Sequence, residues 1–494
     1  MTLSQTMACR NVMTILSTMQ KQNLHTVENQ SHPKKTIPTY KPNIWKYDHL
    51  LSLKSEYSKK KYKVEAEKLI NEVSCTFSNT VSLALLELVD RIDKFGLSSY
   101  FEVETKEALE KIIKCMNSGA SYSSSKDEDL YAIALCFRLL REHGYHASQD
   151  MLKGLFAGKG KLMTKKVSDI KTLLELLEGS YLSMDDENLQ NDIRIFSTKN
   201  LKNLSTSNVD RFSTNGEYLS NSLKYNPLAF RVRWYDVRRH LNAQEELECY
   251  TNPMLLKLAK LNFNIIQATH QKDLKHVIRW WRNLCIVEDL SFTRDRIVES
   301  FFYAVGVTSE PQHGSWVNFC KALLVEATWY HKGHIPTLEE YLDNGWISSS
   351  GPLLSCHVIF GLTNEITNET LDLCKNCKEI IYHTSVIIRL CNDKGTSTAE
   401  LERGDVASSI LCYMQEENVS EEVAREHIES IILDSWKKIN YHFNTLSTSH
   451  RKLVKHVINE ARMAHVMYQF GDGFGVQDGE TRDHILFNLV EPLT

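Results

Sequence analysis

In Arg389–Met414, "RLCNDKGTSTAELERGDVASSILCYM", Asn392, Thr396 and Glu400 stand four residues apart. Four residues turn an α-helix about 40° past a full circle, so the three share one face and form a ladder of amide, hydroxyl and carboxylate oxygens. Arg389 precedes Asn392 by one turn and joins that face. Hard cations such as Mg²⁺ take oxygen ligands and often keep phosphate oxygens in their shell. One carboxylate makes a weak site by itself, and such a site gains most when phosphate completes it. A guanidinium pairs well with the same phosphate. These residue types also occur on solvated helix faces, so the ladder needs a companion feature.

The companion is "FTRDRIVESFFYAVG", where Arg294 and Arg296 flank Asp295 ahead of an apolar helix carrying Phe301, Phe302 and Tyr303. Two arginines beside an aromatic-lined helix can draw a diphosphate leaving group away from a greasy pocket. The alternative is a surface salt-bridge cluster, which contributes little. Trp280, Trp281, Phe301, Phe302 and Tyr303 are candidates for an aromatic wall, with core packing as the other use for them.

Outward from these segments the helical period dominates. Leu83, Leu86, Leu88 and Ile92 fall near a 3–4 spacing and meet Gly96, a helix stop; the next train halts at Gly144, and another has Gly179 near its end. Residues 196–226 turn polar and rich in Ser and Asn, which places a domain boundary near Pro227. The chain of 494 residues has only 20 Gly and 9 Pro, favouring long helices over a turn-rich sheet protein. An apolar share of 42% suffices for large cores, and a net charge of −4 gives no pointer to nucleic acid or an anionic membrane. No run of apolar residues is long enough for a membrane span. The 12 cysteines are scattered, as in a reduced intracellular protein, and the CxxC pair Cys374 and Cys377 has no second pair to complete a zinc site. The first 27 residues lack Asp and Glu and hold seven Ser or Thr, the look of an organelle transit peptide; a plain disordered tail is the other reading.

These segments, with "YKPNIWKYDHLLSLKSEY" (40–57), "DLYAIALCFRLLREHGYHASQDMLKGL" (129–155), "ATWYHKGHIPTLEEYLDNGWISSSGP" (327–352) and "MYQFGDGFGVQDGETRDHI" (467–485), resemble the plant class I terpene synthases, monoterpene synthase type, over nearly all of the chain beyond residue 40. The resemblance implies an all-α fold of two helical domains, an N-terminal relic α-barrel over 41–226 and a C-terminal catalytic bundle over 227–494, behind a transit peptide and arm over 1–40. It implies a monomer that uses Mg²⁺ or Mn²⁺ to ionise a prenyl diphosphate, with geranyl diphosphate in a plastid as the expected substrate and place. The cytoplasm is expected instead if the N-terminus is not a transit peptide. By resemblance Asn392, Thr396 and Glu400 are metal ligands, Arg294, Arg296 and Arg389 bind diphosphate together with Asn392, and Tyr468 and Asp472 line or cap the pocket.

The sequence also departs from the family pattern. The aspartate-rich DDxxD motif should follow "EPQ" (310–312) by two to three dozen residues, yet "HGSWVNFC" runs straight on toward "WYHKG". The one adjacent aspartate pair, Asp185 and Asp186, belongs to the N-terminal domain. We therefore expect an internal deletion after about residue 312, an incomplete bundle with exposed apolar faces and a cavity, and impaired activity. Lys35 and Thr36 stand where monoterpene cyclases often carry two arginines, and Tyr303 where many relatives have tryptophan. The first departure leaves room for an acyclic product. The alternative functional reading is a non-catalytic truncated or splice-variant form that at most binds isoprenoid diphosphate. A ligand-free helical scaffold is a third.

Overall fold

A computed structural model describes residues 43–494 apart from 80–82, 118–125, 158–160, 163–169, 186, 207–223, 225, 247–251, 284–294, 308–316, 363–372, 375, 404–407, 476–478 and 494. The expected transit peptide and the Lys35–Thr36 pair lie outside the described residues, as does Arg294.

The described chain is helical almost throughout. In the first half come α1 (Tyr47–Ser52), α2 (Lys60–Asn79), α3 (Leu83–Lys94), α4 (Glu102–Asn117), α5 (Lys126–Glu142), α6 (Ile170–Ser180) and α7 (Asn188–Thr206). A two-residue antiparallel ladder, Phe156–Ala157 against Lys161–Leu162, is the sheet structure among the described residues. Then follow α8 (Arg233–Glu246), α9 (Pro253–Asn283), α10 (Ile297–Val307), α11 (Val317–Lys332), α12 (Leu338–Ser348) and α13 (Gly351–Leu362). The last are α14 (Lys378–Arg403), α15 (Ser409–Glu417), α16 (Glu421–Thr445), α17 (Thr448–Tyr468) and α18 (Glu480–Ile485), which runs into a π-turn at Leu486–Val490.

Local chemistry sets many of the ends. Gly96 and Gly144 follow α3 and α5 with φ of 68° and 76°, a left-handed conformation that costs glycine little. Pro253 opens α9, where its missing N–H is no loss, behind an Asn252 side chain that accepts from the Met254 N–H at 2.9 Å. Thr337 and Glu340 form a reciprocal capping box at α12, and Ser408, Ser420 and Ser447 cap α15, α16 and α17.

Residues from Lys41 onward form one unit by contact. Within it the buried side chains make two clusters. The first runs from Ala66 to Leu201 and takes in Val237, Leu241 and Leu255–Phe263; the second runs from Phe230 to Leu489 and takes in Leu50. Helix α9 supplies both, Leu255 and Leu258 to one and Leu274 and Ile278 to the other, so it ties the two halves together. Trp45 and Tyr47 pack on the second cluster, which places the N-terminal segment against the C-terminal half.

Candidate functional site

Helix α14 is the axis of the C-terminal half, packed most extensively against α17 and α16 and flanked by α12 and α13. Its Ile380, Ile387 and Leu390 are wholly buried, and that apolar stripe fixes its rotation. The predicted ladder therefore lies on one defined face. Thr396 is 3% exposed, and its hydroxyl donates to the Asn392 carbonyl at 2.9 Å. That bond leaves the hydroxyl lone pairs free to ligate. Asn392 and Glu400 are half-buried on the same face. The Asn392 amide hydrogen-bonds Tyr468, whose phenol is pushed up in pKa by burial first and then by Asp472. Gly395 lets the loop after α17 approach: a Cβ there would lie 3.1 Å from both Gly471 O and Tyr468 Cβ.

Arg389 is held by a cage that sequence reading missed. Its Nη2 donates to Ser348 Oγ at 2.7 Å and to Glu326 Oε1 at 3.1 Å, and Nη1 lies 3.7 Å from Asp393 Oδ1. The guanidinium sits 5.9 Å from the Tyr341 ring centre, and Tyr341 OH donates to the same Asp393 at 3.0 Å. Burial would lower the arginine's pKa, but Tyr341, Asp393 and Glu326 outweigh it and hold the group above its ordinary value. Asp393, four residues after Arg389, was visible as an i, i+4 partner; nothing in the sequence marked Glu326.

Arg296 is 9% exposed and donates from Nε to Phe474 O at 2.7 Å and from Nη1 to Asp295 O at 2.9 Å. It thus anchors the loop in which Asp472 Oδ1 accepts the N–H groups of Phe474 and Gly475 at 3.1 and 2.7 Å. Phe474 lies 6.0 Å from Tyr303 and 6.1 Å from Tyr468, so those three rings cluster beside the ladder. Asp295 accepts from Asn43 at 2.8 Å, from Trp281 Nε1 at 3.0 Å and from Tyr47 OH. Trp281 is thereby tied to Asp295, and Phe302, wholly buried, stacks on Tyr235 with ring centres 4.3 Å apart. Among the aromatic candidates, Tyr303 is brought to the loop, against Phe474. Cys377 is buried with its thiol turned to the Cys374 carbonyl, and burial pushes it up to about 12, the behaviour of a packing residue.

Among the described residues no cluster of three His, Cys, Asp or Glu is placed to hold a metal ion. The oxygens of Asn392, Thr396 and Glu400 fit a hard divalent cation as part of a shell, with one carboxylate charge.

Two family profiles match the chain: "Terpene synthase, N-terminal domain" over residues 44–223 and "Terpene synthase family, metal binding domain" over residues 313–438. The chain belongs to the terpene synthase family. It is a class of lyase acting on prenyl diphosphates. An alpha-farnesene synthase of Ricinus communis is 38% identical over 540 positions, covering 92% of this chain and 94% of the relative. A chloroplastic myrcene synthase of Quercus ilex is 34% identical over 538 positions, covering 92% and 89%. Both alignments run to more positions than the chain has residues, so this terpene synthase stands opposite gaps along several dozen positions. Among solved structures, limonene synthase with 2-fluorolinalyl diphosphate superposes with a TM-score of 0.84 at 29% identity, covering 92% of this chain and 99% of that one. Isoprene synthase from grey poplar leaves (Populus x canescens), in complex with three Mg²⁺ ions and dimethylallyl-S-thiolodiphosphate, gives 0.79 at 30%, covering 92% and 99%. The all-α expectation and the family resemblance are both borne out.

Proposed function

We propose that this terpene synthase ionises geranyl diphosphate in a plastid and releases a monoterpene, with Mg²⁺ or Mn²⁺ held by Asn392, Thr396 and Glu400. The observation that carries this reading is the convergence on one face of α14 of the oxygen ladder, Arg389 and the Tyr468–Phe474 loop anchored by Arg296. A bound divalent cation supplies charge that stabilises the departing diphosphate. The chain's own residues do the rest. Arg389 and Arg296 offer fixed donors to the diphosphate oxygens, Arg294 joining them by family resemblance, while Tyr303, Tyr468 and Phe474 give the forming cation aromatic faces and keep water out. The chloroplastic relatives and the acid-poor N-terminus support the plastid. The test is incubation with geranyl diphosphate and, separately, farnesyl diphosphate, each with Mg²⁺ and with EDTA, followed by gas chromatography. A volatile monoterpene formed only with Mg²⁺ and geranyl diphosphate is expected; intact geranyl diphosphate in every arm rejects the reading.

A second reading, diphosphate binding without turnover, is favoured by a specific observation. The chain has no DDxxD, and α11, just beyond residue 312, exposes Leu323, Leu324 and Val325 at 41, 66 and 38% beside a groove of about 780 Å³. A bundle that lacks helices there would leave such a face. Glu326 on the same helix occupies Arg389, so diphosphate would have to compete with a carboxylate already in place. Binding of an isoprenoid diphosphate in the presence of Mg²⁺ that weakens in Arg389→Ala, with no turnover in either protein, is the result this reading expects.

A further inference from the structure

A cleft of about 670 Å³ opens between the two helical halves, its lining including Trp234, His270 and the cations Arg231, Arg233, Lys455 and Arg462. It is remote in sequence from the ladder and shares no residue with it. Its carboxylates are spoken for: Glu142 pairs with Arg233 at 2.8 Å and with Arg138 at 3.0 Å, Asp93 with His143 at 2.8 Å, and Glu102 with Lys452 at 2.6 Å. Arg141, also in the lining, is paired with Glu187.

Two cations are left over. Lys455 has neither hydrogen bond nor ion pair among the described residues. Arg462 is half-buried and meets the Ala229 carbonyl at 2.9 Å and the Asn459 amide oxygen at 2.8 Å, with no carboxylate among its described partners. Seven residues separate them on α17, two turns, so they share a face. Like charges at close quarters disfavour each other: Arg462 is lowered to about 10 by burial first and by Arg233 next, with Glu142 acting the other way, and Lys455 is lowered by burial, Arg233 and Arg462 against the pull of Asp93 and Glu102. Arg231, nine-tenths buried, pairs with Asp236 at 3.4 Å, and its Nε and the Trp234 Nε1 are buried without an acceptor. Neither Lys455 nor Arg462 has a carboxylate within ion-pair distance among the described residues, and an anion in the cleft would supply the counter-charge. The volume suits a small molecule.

We infer that this cleft is a second binding site, separate from the α14 ladder, for a small phosphate-bearing anion held by Lys455 and Arg462, beside an Arg233 already paired with Glu142 and Asp93. The Arg462 guanidinium supplies directional donors to phosphate oxygens and Lys455 a point charge. The inference stands without the catalytic reading, since it needs neither the ladder nor a divalent cation.

The test titrates the full chain in EDTA with inorganic phosphate and, separately, inorganic diphosphate, by calorimetry at low salt. Saturable binding of either anion at millimolar concentration or below is expected, weakened roughly fivefold or more in Lys455→Gln, restored in Lys455→Arg and unchanged in Arg389→Ala. Lys455 is exposed on the cleft wall, so its replacement leaves the core intact; the rise in Tm caused by the anion is the second readout and should shrink in Lys455→Gln and not in Arg389→Ala. Absence of saturable binding in the unmodified chain, retention of full affinity in Lys455→Gln, or loss confined to Arg389→Ala would each overturn the inference.

Discussion

Glu326 and Arg389 meet at 3.1 Å although 63 residues separate them in the chain. Their side chains are 16% and 13% exposed, so water screens the pair weakly. Ser348 joins it, donating to Glu326 and accepting from Arg389 at 2.7 Å. Replacing Glu326 with Ala strips Arg389 of its nearest counter-charge and leaves Ser348 only the Gly345 carbonyl, at 3.3 Å, to donate to. Because Asp393 remains 3.7 Å away, the expected loss is about 2–4 kcal/mol rather than the full cost of an orphaned buried charge. Urea unfolding of Glu326→Ala measures it, and a loss below about 0.5 kcal/mol contradicts the cage.

His465 gives the C-terminal half a pH response. Its Nε2 accepts from Trp436 Nε1 at 3.1 Å and its Nδ1 faces Cys391 Sγ at 3.6 Å, so the ring is neutral. Burial lowers its pKa from 6.5 to about 4, with Glu429 acting the other way and Lys394 with it. The unfolded chain takes up a proton near pH 6.5 and the folded one does not. Stability is therefore full above pH 6.5 and falls as the pH drops toward 4. Between pH 6.5 and 5 this group accounts for about 2 kcal/mol. His465→Asn should lose about that much less than the unmodified chain over the same interval, in unfolding midpoints taken at both pH values. Equal slopes would show that the ring is already charged.

Gly351 follows Ser350, itself at φ 66°, and opens α13 hard against α14. A Cβ at Gly351 would lie 2.8 Å from Ser385 Cα and 2.2 Å from its hydroxyl. Backbone cannot step aside as a flexible side-chain end can. Gly351→Ala should cost about 1–3 kcal/mol and lower Tm, because α13 must be pushed off α14. A melting curve that superposes on the unmodified one would show that the contact is looser than this geometry.

The exposed apolar face of α11 predicts behaviour in solution. Leu324 is 66% exposed and borders the groove lined by Trp329 and Thr328. Leu324→Glu should leave the unfolding free energy within about 0.5 kcal/mol while reducing binding of an apolar dye and aggregation at high concentration. A large stability loss would mean that Leu324 is covered.

The sequence by itself determined the features that live within one or two helical turns. The 3–4 spacing of Leu83–Ile92 marks α3, Gly96 and Gly144 mark where α3 and α5 stop, and the four-residue spacing of Asn392, Thr396 and Glu400 puts them on one face of α14. Helical period, caps and left-handed stops are local, so a short window suffices. Tertiary structure alone decided what faces those residues. Glu326 reaches Arg389, Asn43 reaches Asp295 across 252 residues, and Arg462 and Lys455 come to a shared cleft with Arg233. Each pairing is set by how far apart and at what angle separate helices pack, and that depends on the summed fit of many buried side chains, which no single stretch of sequence displays.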